Sequence, residues 1–421
     1  MDRHGGLGSG LTHSPAARVI RLEPYRRTLA EPGLRRSLLP SVLARLPLGM
    51  ASLSLLLAIQ AQTGNNALAG LVSGLYVLGL GIVAPLVGRS IDRFGPRPLL
   101  RATSIAYPAV MLLLAWSIGS GQAPWLWMLL AVAGGMTLPQ ITAQMRSAIP
   151  SLLPGRAEQQ VAFTIDTLVI EVVFMVGPPL AGMFLAFGQP LAATIAAGAC
   201  GGLGALWFLR SPAVACWSAH PGRASERSTL GALREPGLRA ILASCLAYAL
   251  CFGLFEAGIA TYCRQLGAPA HTGWVLGLTS ITSAAGVLLY GSRDWQTPLA
   301  RHYLLGMLAT GALLLLCALA DDLLSLYLLA ALASTPMATV LAAQNMLVVK
   351  VAPAGRVAEC YTWVGTSLLF GVSAGLAIGG AVSGSDSAQS AIAAAGACAL
   401  LAATAAIRIS HHGGANRMPM H

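Results

Sequence analysis

The run Gly88-Arg89-Ser90-Ile91-Asp92-Arg93-Phe94-Gly95-Pro96-Arg97 sets three arginines, one acid and two glycines between apolar stretches at 67–88 and 99–119. Each stretch is long enough to cross a bilayer as a helix, which takes about 20 residues at about 1.5 Å per residue. Gly88 and Gly95 permit a tight reversal between the two helices, and the arginines hold that reversal at an anionic headgroup surface.

Working outward from this turn, the chain reads as twelve spans: 39–60, 67–88, 99–119, 124–147, 159–186, 189–209, 238–262, 272–291, 301–320, 323–349, 358–383 and 387–407. The composition agrees, because 56% of the 421 residues are hydrophobic and 10% are charged, against roughly 25% charged in a soluble domain. Lipid is therefore the expected solvent. Backbone polar groups in lipid must be satisfied within each segment, so the expected class is an all-α membrane protein.

The net charge of +11 admits nucleic acid or a membrane face as partner. The placement of the charges decides between them. Arg3, Arg18, Arg21, Arg26, Arg27, Arg35 and Arg36 precede span 1, and all other basic residues except Arg45 and Arg264 fall at even-numbered span ends or in the middle linker. Positive loops stay in the cytoplasm, so both termini are expected there, in an inner membrane, with lipid and not nucleic acid as partner. No signal peptide is expected, because the first 38 residues lack an apolar h-region.

The residues also exclude several chemistries. The single lysine, Lys350, follows no glycine-rich loop, so this chain has no Walker-type ATP site. The histidines fall in tails, loops or span edges and the cysteines form no CxxC, so no cofactor, metal or disulfide frame is expected. Nothing in the residues points to an enzyme.

A polar linker at 210–237 divides a half at 39–209 from a half at 238–407, with a basic tail at 1–38 and another at 408–421. The halves share a weak repeat. Ala69-Gly70-Leu71-Val72-Ser73-Gly74-Leu75 matches Thr272-Gly273-Trp274-Val275-Leu276-Gly277-Leu278, and Gln144 before Gly155-Arg156 matches Gln344 before Gly355-Arg356. Two pseudo-symmetric six-helix bundles are expected.

With this organisation, the turn at 88–97 resembles the loop signature of the major facilitator superfamily, a glycine, three residues, then Asp-Arg-x-Gly-x-Arg between helices 2 and 3. The resemblance covers nearly the whole chain after residue 38 and implies a secondary transporter. It implies a conformational latch in which Asp92 meets the positive start of span 11, near Ala358, supported by Gly88, Arg93, Gly95, Arg97 and Arg146. The second half, with Gly291-Ser-Arg-Asp-Trp-Gln-Thr-Pro, lacks the Asp-Arg-x-Gly core, so the latch is one-sided. Gly177-Pro178-Pro179-Leu-Ala-Gly182 in span 5 partly resembles the helix-5 kink of the family's antiporters; close packing alone also accounts for it.

Charge inside a span is expensive and marks candidate sites. Arg45 and Asp166 lie at matching depths, about 9 and about 10 Å from the same face, which makes them candidate ion-pair partners. Glu171 lies about 18 Å in, with no basic residue at its depth, where burial favours the protonated form. Glu256 stands near the far end of span 7, eight residues before Arg264. These four are the proton-coupling candidates. The resemblance places helices 1, 4, 7 and 10 around a central cavity, which makes Gln60, Thr137, Gln140, Gln144, Tyr248, Phe252, Thr335, Thr339, Gln344 and Asn345 candidate lining residues. Hydroxyls, amides and two aromatics suit an uncharged or amphipathic organic molecule better than a multivalent anion.

The expected function is proton-coupled export of a small organic compound, drug-like or a secreted metabolite such as a siderophore, by a monomer. The alternatives are an importer or facilitator of a sugar, amino acid or organic acid, and more remotely a non-transporting membrane receptor.

Overall fold

The computed structural model describes residues 23–153, 155–215, 236–291, 297–351, 357–385 and 387–414, and among them every regular element is an α-helix. The first half comprises α1 (Glu23–Ala30), α2 (Pro32–Thr63), α3 (Asn66–Phe94), α4 (Pro96–Gly119), α5 (Pro124–Thr137), α6 (Ile141–Leu152), α7 (Arg156–Ala186) and α8 (Pro190–Phe208), followed by the short α9 (Pro212–Ala215). The second comprises α10 (Pro236–Gln265), α11 (His271–Gly291), α12 (Leu299–Cys317), α13 (Leu323–Val351), α14 (Val357–Ser385) and α15 (Ala388–Gly414). Eleven spans are long and apolar enough to cross a membrane, one of them formed jointly by α5 and α6. The twelfth helix, α15, has a shorter described apolar stretch, Ala388–Thr404.

Local chemistry sets the helix ends. Proline opens α2, α4, α5 and α8 at the first turn, where a missing N–H costs nothing. Gly95, in the signature turn, has φ 81° immediately before Pro96, a conformation that favours glycine. At the start of α13, Asp322 and Ser325 bond reciprocally: Asp322 Oδ1 accepts the Ser325 N–H at 2.7 Å, and the Asp322 N–H donates to Ser325 Oγ at 3.1 Å. Ser325 thereby holds the Asp322 carboxyl below its ordinary range.

Two boundaries differ from the sequence reading. The first membrane helix starts at Pro32 instead of residue 39, because Leu34, Ser37 and Leu38 bury one face while Arg35 and Arg36 remain exposed on the other. Span 4 is not continuous: α5 ends at Thr137, α6 begins at Ile141, and Leu138, Pro139 and Gln140 lie between them. Proline alone does not explain this, since Pro40, Pro47, Pro85, Pro108, Pro178, Pro179 and Pro336 all sit inside unbroken helices. The two pieces are anchored to different partners, α5 to α3 and α4, and α6 to α2, α7 and α9.

The halves repeat one packing scheme. In the first, α2 packs on α7 and α8, α4 on α8, and α3 on α5; in the second, α10 packs on α14 and α15, α12 on α15, and α11 on α13. The halves meet along two seams, α3 with α14 and α7 with α11. We call the face carrying Arg35, Arg97, Arg101, Arg156, Arg239 and Arg301 the basic face, and its opposite the far face.

The seams are tight only toward the far face. A Cβ on Gly70 would lie 2.3 Å from the Leu376 carbonyl oxygen, and one on Gly273 would lie 2.1 Å from that of Pro178. Nearer the basic face, a Cβ on Gly81 meets only the side chains of Leu369 and Phe370, and one on Gly365 meets nothing within 4 Å. The hydrophobic core follows the same division. One cluster joins both halves through Leu55, Val72, Leu254 and Leu376. Toward the basic face it gives way to two separate clusters, around Ile149 in the first half and Met307 in the second. The bundles thus form a V that opens at the basic face.

These contacts separate two kinds of glycine. Gly380→Leu intrudes on Asn66 and Gly70 across the seam, and should speed alkylation of a cysteine placed at Ser383 while leaving thermal stability nearly unchanged. Gly204→Leu meets the Ala44 backbone inside one bundle, and should lower stability by about 1–3 kcal/mol, read from thermal unfolding in detergent.

Candidate functional site

The V encloses a vestibule between the halves, and its floor is sealed at the far face by polar ties. Arg264 Nη1 donates to the Gly64 carbonyl at 3.1 Å, and Gln60 Nε2 donates to Thr261 Oγ1 at 3.3 Å. Asn66 Nδ2 donates to the Ser383 carbonyl at 3.4 Å, and Ser52 Oγ donates to Glu256 Oε1 at 3.3 Å. The Gly64 carbonyl is presented by the turn that ends α2, where Gly64 at φ 66° returns its N–H to Gln60 O. Gln60 and Glu256 are therefore seam residues, both buried where the halves close, and Gln60 is no cavity-lining residue in this conformation.

Glu171 has a different setting. It is exposed on α7, on the flank that also carries Thr164 and Thr167, and it stands within electrostatic range of the Tyr248 hydroxyl of the other half. The adjoining flank of α7, about 100° around the helix, exposes the apolar side chains Leu168, Val172, Val176 and Met183. Glu171 thus faces the space between the bundles, and no ion pair engages it among the described residues.

Arg45 and Asp166 are brought together. Arg45 Nη2 stands 2.6 Å from Asp166 Oδ1, and Arg146 Nε donates to Asp166 Oδ2 at 2.8 Å. Arg45 and Asp166 are almost wholly buried, whereas the Arg146 side chain is 45% exposed. One carboxylate thus balances two guanidinium groups, which leaves a unit of positive charge within the first bundle. Sequence reasoning matched the depths of Arg45 and Asp166 but assigned Arg146 to the signature turn.

The remaining lining candidates divide by what they already bond. Thr137, Thr335 and Thr339 donate to carbonyls of their own helices, at Ala133, Ala331 and Pro336. Tyr248 donates to the Met337 carbonyl at 3.1 Å, Phe252 packs in the second-half cluster, and the Asn345 carbonyl accepts from Tyr361 at 3.0 Å. Gln344 Oε1 accepts from Tyr303 at 3.4 Å, but its Nε2 is buried without a partner among the described residues. Both amide atoms of Gln144 and the Nε2 of Gln140 are likewise buried without partners among the described residues. Gln140 and Gln144 stand at the break in span 4, which the sequence reading missed.

In the helix-5 segment, Gly177 lies against the Gly49 backbone of α2 and Gly182 against Ala270, just before α11, and Gly273 within it, while Pro178 stays within an unbroken helix. Of the signature turn, Gly88 falls within α3, and Gly95 and the exposed Arg97 are described. The side chains of Asp92, Arg93 and Ala358, at the start of α14, lie outside the described residues.

Comparison with known proteins adds a frame. The sequence profile of the Major Facilitator Superfamily matches residues 41–299. An uncharacterised MFS-type transporter, y4rN of Sinorhizobium fredii, is 32% identical over 290 residues, covering 63% of this chain and 68% of that protein. Among solved structures, a mutant of the peptide transporter POT in complex with sulfate superposes with a TM-score of 0.73 at 13% identity, covering 91% of this chain and 95% of that one. The nucleoside transporter NupG gives 0.72 at 12% identity, with 90% and 99% covered. A bacterial homologue of the human lysosomal transporter Spinster, in an inward-facing and unoccupied conformation, gives 0.70 at 14% identity, with 95% and 100% covered. At these identities the likeness is one of fold.

The triad makes a direct prediction. Asp166→Ala strands two cations and should lower stability by about 3 kcal/mol, with partial recovery when Arg45→Ala is added. Thermal unfolding of the four members of the cycle checks it, and strictly additive losses would deny the pair.

Proposed function

The chain belongs to the Major Facilitator Superfamily and is a multi-pass secondary transporter; from that premise we propose that it couples proton entry to the export of a small organic compound. In this reading the basic face is cytoplasmic, both termini lie there, and the membrane is an inner membrane, because positive loops resist translocation. The conformation described above is then the inward-facing one, and the halves rock about the vestibule to expose it alternately to either side.

The observation that carries the coupling reading is Glu171: an exposed acid on the vestibule wall, opposite Tyr248, with no cation engaging it among the described residues. A carboxylate that moves between water and a closed, low-dielectric interior as the halves rock exchanges its proton with that motion. The compact Arg45–Asp166–Arg146 cluster sets the field on the same bundle. Export rests on the partial helix-5 likeness at Gly177-Pro178-Pro179, and an importer of the same build is the second reading.

Glu171→Gln should abolish proton-coupled flux while leaving substrate binding measurable. The check is collapse of an imposed pH gradient in inverted vesicles as amphipathic organic compounds are added. Flux with the wild-type pH dependence in this variant would remove Glu171 from the coupling. Uptake in place of efflux would select the importer.

The signature turn provides a second test. If Asp92 holds the start of α14 when the basic face closes, Asp92→Asn should destabilise that state by about 1 kcal/mol. A cysteine at Ser383, on the far-face seam, would then be alkylated more slowly than in the parent. Unchanged labelling would leave the turn as a topological anchor only.

A further inference from the structure

The break in span 4 lies near the middle of the membrane. The span runs Pro124–Leu152, and the interruption at 138–140 divides it into a helix of 14 residues and one of 12. Backbone at this depth is tolerated only inside protein or against a cavity. Here the chain makes an inverse γ-turn at Gln140, φ −82° and ψ 64°, with Ile141 N–H returned to the Pro139 carbonyl at 2.9 Å. Helix α6 therefore begins inside the bilayer, and no side chain caps its N-terminus. The uncapped end carries about half a unit of positive charge.

A helix start alone is not a site, but two amides accompany this one. Gln144 is 4% exposed, and neither atom of its amide has a partner among the described residues. Helical side chains tilt toward the N-terminus, so this amide lies back over the first turn of α6. Gln140 closes the same turn, and its Nε2 is also buried without a partner among the described residues. Leaving such groups unsatisfied is costly, so a ligand that accepts from them recovers that cost.

The fold does not demand the break. Span 10, the counterpart in the second half, is one continuous helix, Leu323–Val351, although it contains Pro336. The arc of α6 left exposed carries Ala143, Arg146, Ser147 and Pro150. Lipid-facing arcs elsewhere carry large apolar side chains, such as Leu288 and Leu289 on α11 or Leu112 and Trp116 on α4. The small and polar arc thus belongs to the vestibule. About two turns below the break, at about 1.5 Å per residue, Arg146 shares Asp166 with Arg45, which adds the unbalanced positive charge of the triad.

We propose that the interruption of span 4 binds the carboxylate of an amphipathic organic monoanion, which is the charged end of the transported molecule. The inference rests on the transporter reading above and deepens it by naming the substrate class. Gln140, Gln144 and the N–H groups that follow Ile141 in the first turn of α6 donate to the two carboxylate oxygens. Arg146 supplies longer-range attraction, and the apolar remainder of the molecule lies along the vestibule. A dianion overcharges a site with one surplus positive charge, and an uncharged amide forfeits the field of the helix end.

The test is calorimetric titration of the full chain in lipid nanodiscs with monocarboxylates from acetate to naphthoate, their amides, chloride and inorganic phosphate. The longer carboxylates should bind about tenfold more tightly than their amides. Gln144→Glu, which keeps the side-chain shape, should remove that preference with thermal stability retained, and Gln140→Leu should weaken carboxylate binding about tenfold. Equal affinity for carboxylate and amide, binding of inorganic anions only, no carboxylate binding at all, or an intact preference in Gln144→Glu would each overturn the proposal. Carboxylate binding with no pH-driven flux would instead count against proton-coupled export and leave this site standing.

Discussion

In hydrocarbon no water is present to accept or donate a hydrogen bond, so a spanning backbone must satisfy itself. That constraint makes the chain a set of helices and makes any departure from helix informative. Prolines inside α2, α3, α4, α7 and α13 leave those helices unbroken. Among the described spans, span 4 alone separates into two helices, and it does so with buried amides at the gap. Each piece is held by a different set of neighbours. The close backbone approach of Gly135 to Tyr76 ties α5 to α3, and the ion triad ties α6 to α2 and α7.

The same lack of water governs how the halves meet. Lipid tails are as apolar as leucine, so helices associate in the membrane through close packing and hydrogen bonds. At the far face, glycines let backbones of opposite halves touch, and Arg264, Gln60 and Asn66 add polar ties at the rim. Toward the basic face the small residues no longer oppose one another and the core splits in two. A joint that is tight at one end and loose at the other is what rigid-body rocking requires, because the halves remain well packed internally while their closest mutual approaches lie toward one end.

Charge inside the bundle is divided by position. The triad of Arg45, Asp166 and Arg146 lies wholly within one half. Glu256 lies on the seam, with Ser52 of the other half as its hydrogen-bond donor, and Glu171 lies on the open wall. Relative motion of the halves would change the surroundings of an acid at a seam and of one on a cavity wall differently, whereas a triad internal to one bundle would keep its partners.

The fold class was legible in the residues because its signals are local or additive. Apolar length marks spans, arginine placement marks sides, and the turn from Gly88 to Arg97 marks the family. Matching depth also paired Arg45 with Asp166, since both lie on helices of known rise. Tertiary packing decided the rest. Nothing in Thr137-Leu138-Pro139-Gln140 distinguishes it from Ser334-Thr335-Pro336 in the unbroken span 10, because a break depends on where the two ends are anchored. Likewise nothing in the sequence indicates that Gln60 stands against Thr261 and Glu256 against Ser52. A side chain's partners across the gap between halves depend on how the bundles meet, and no periodicity within one helix encodes that.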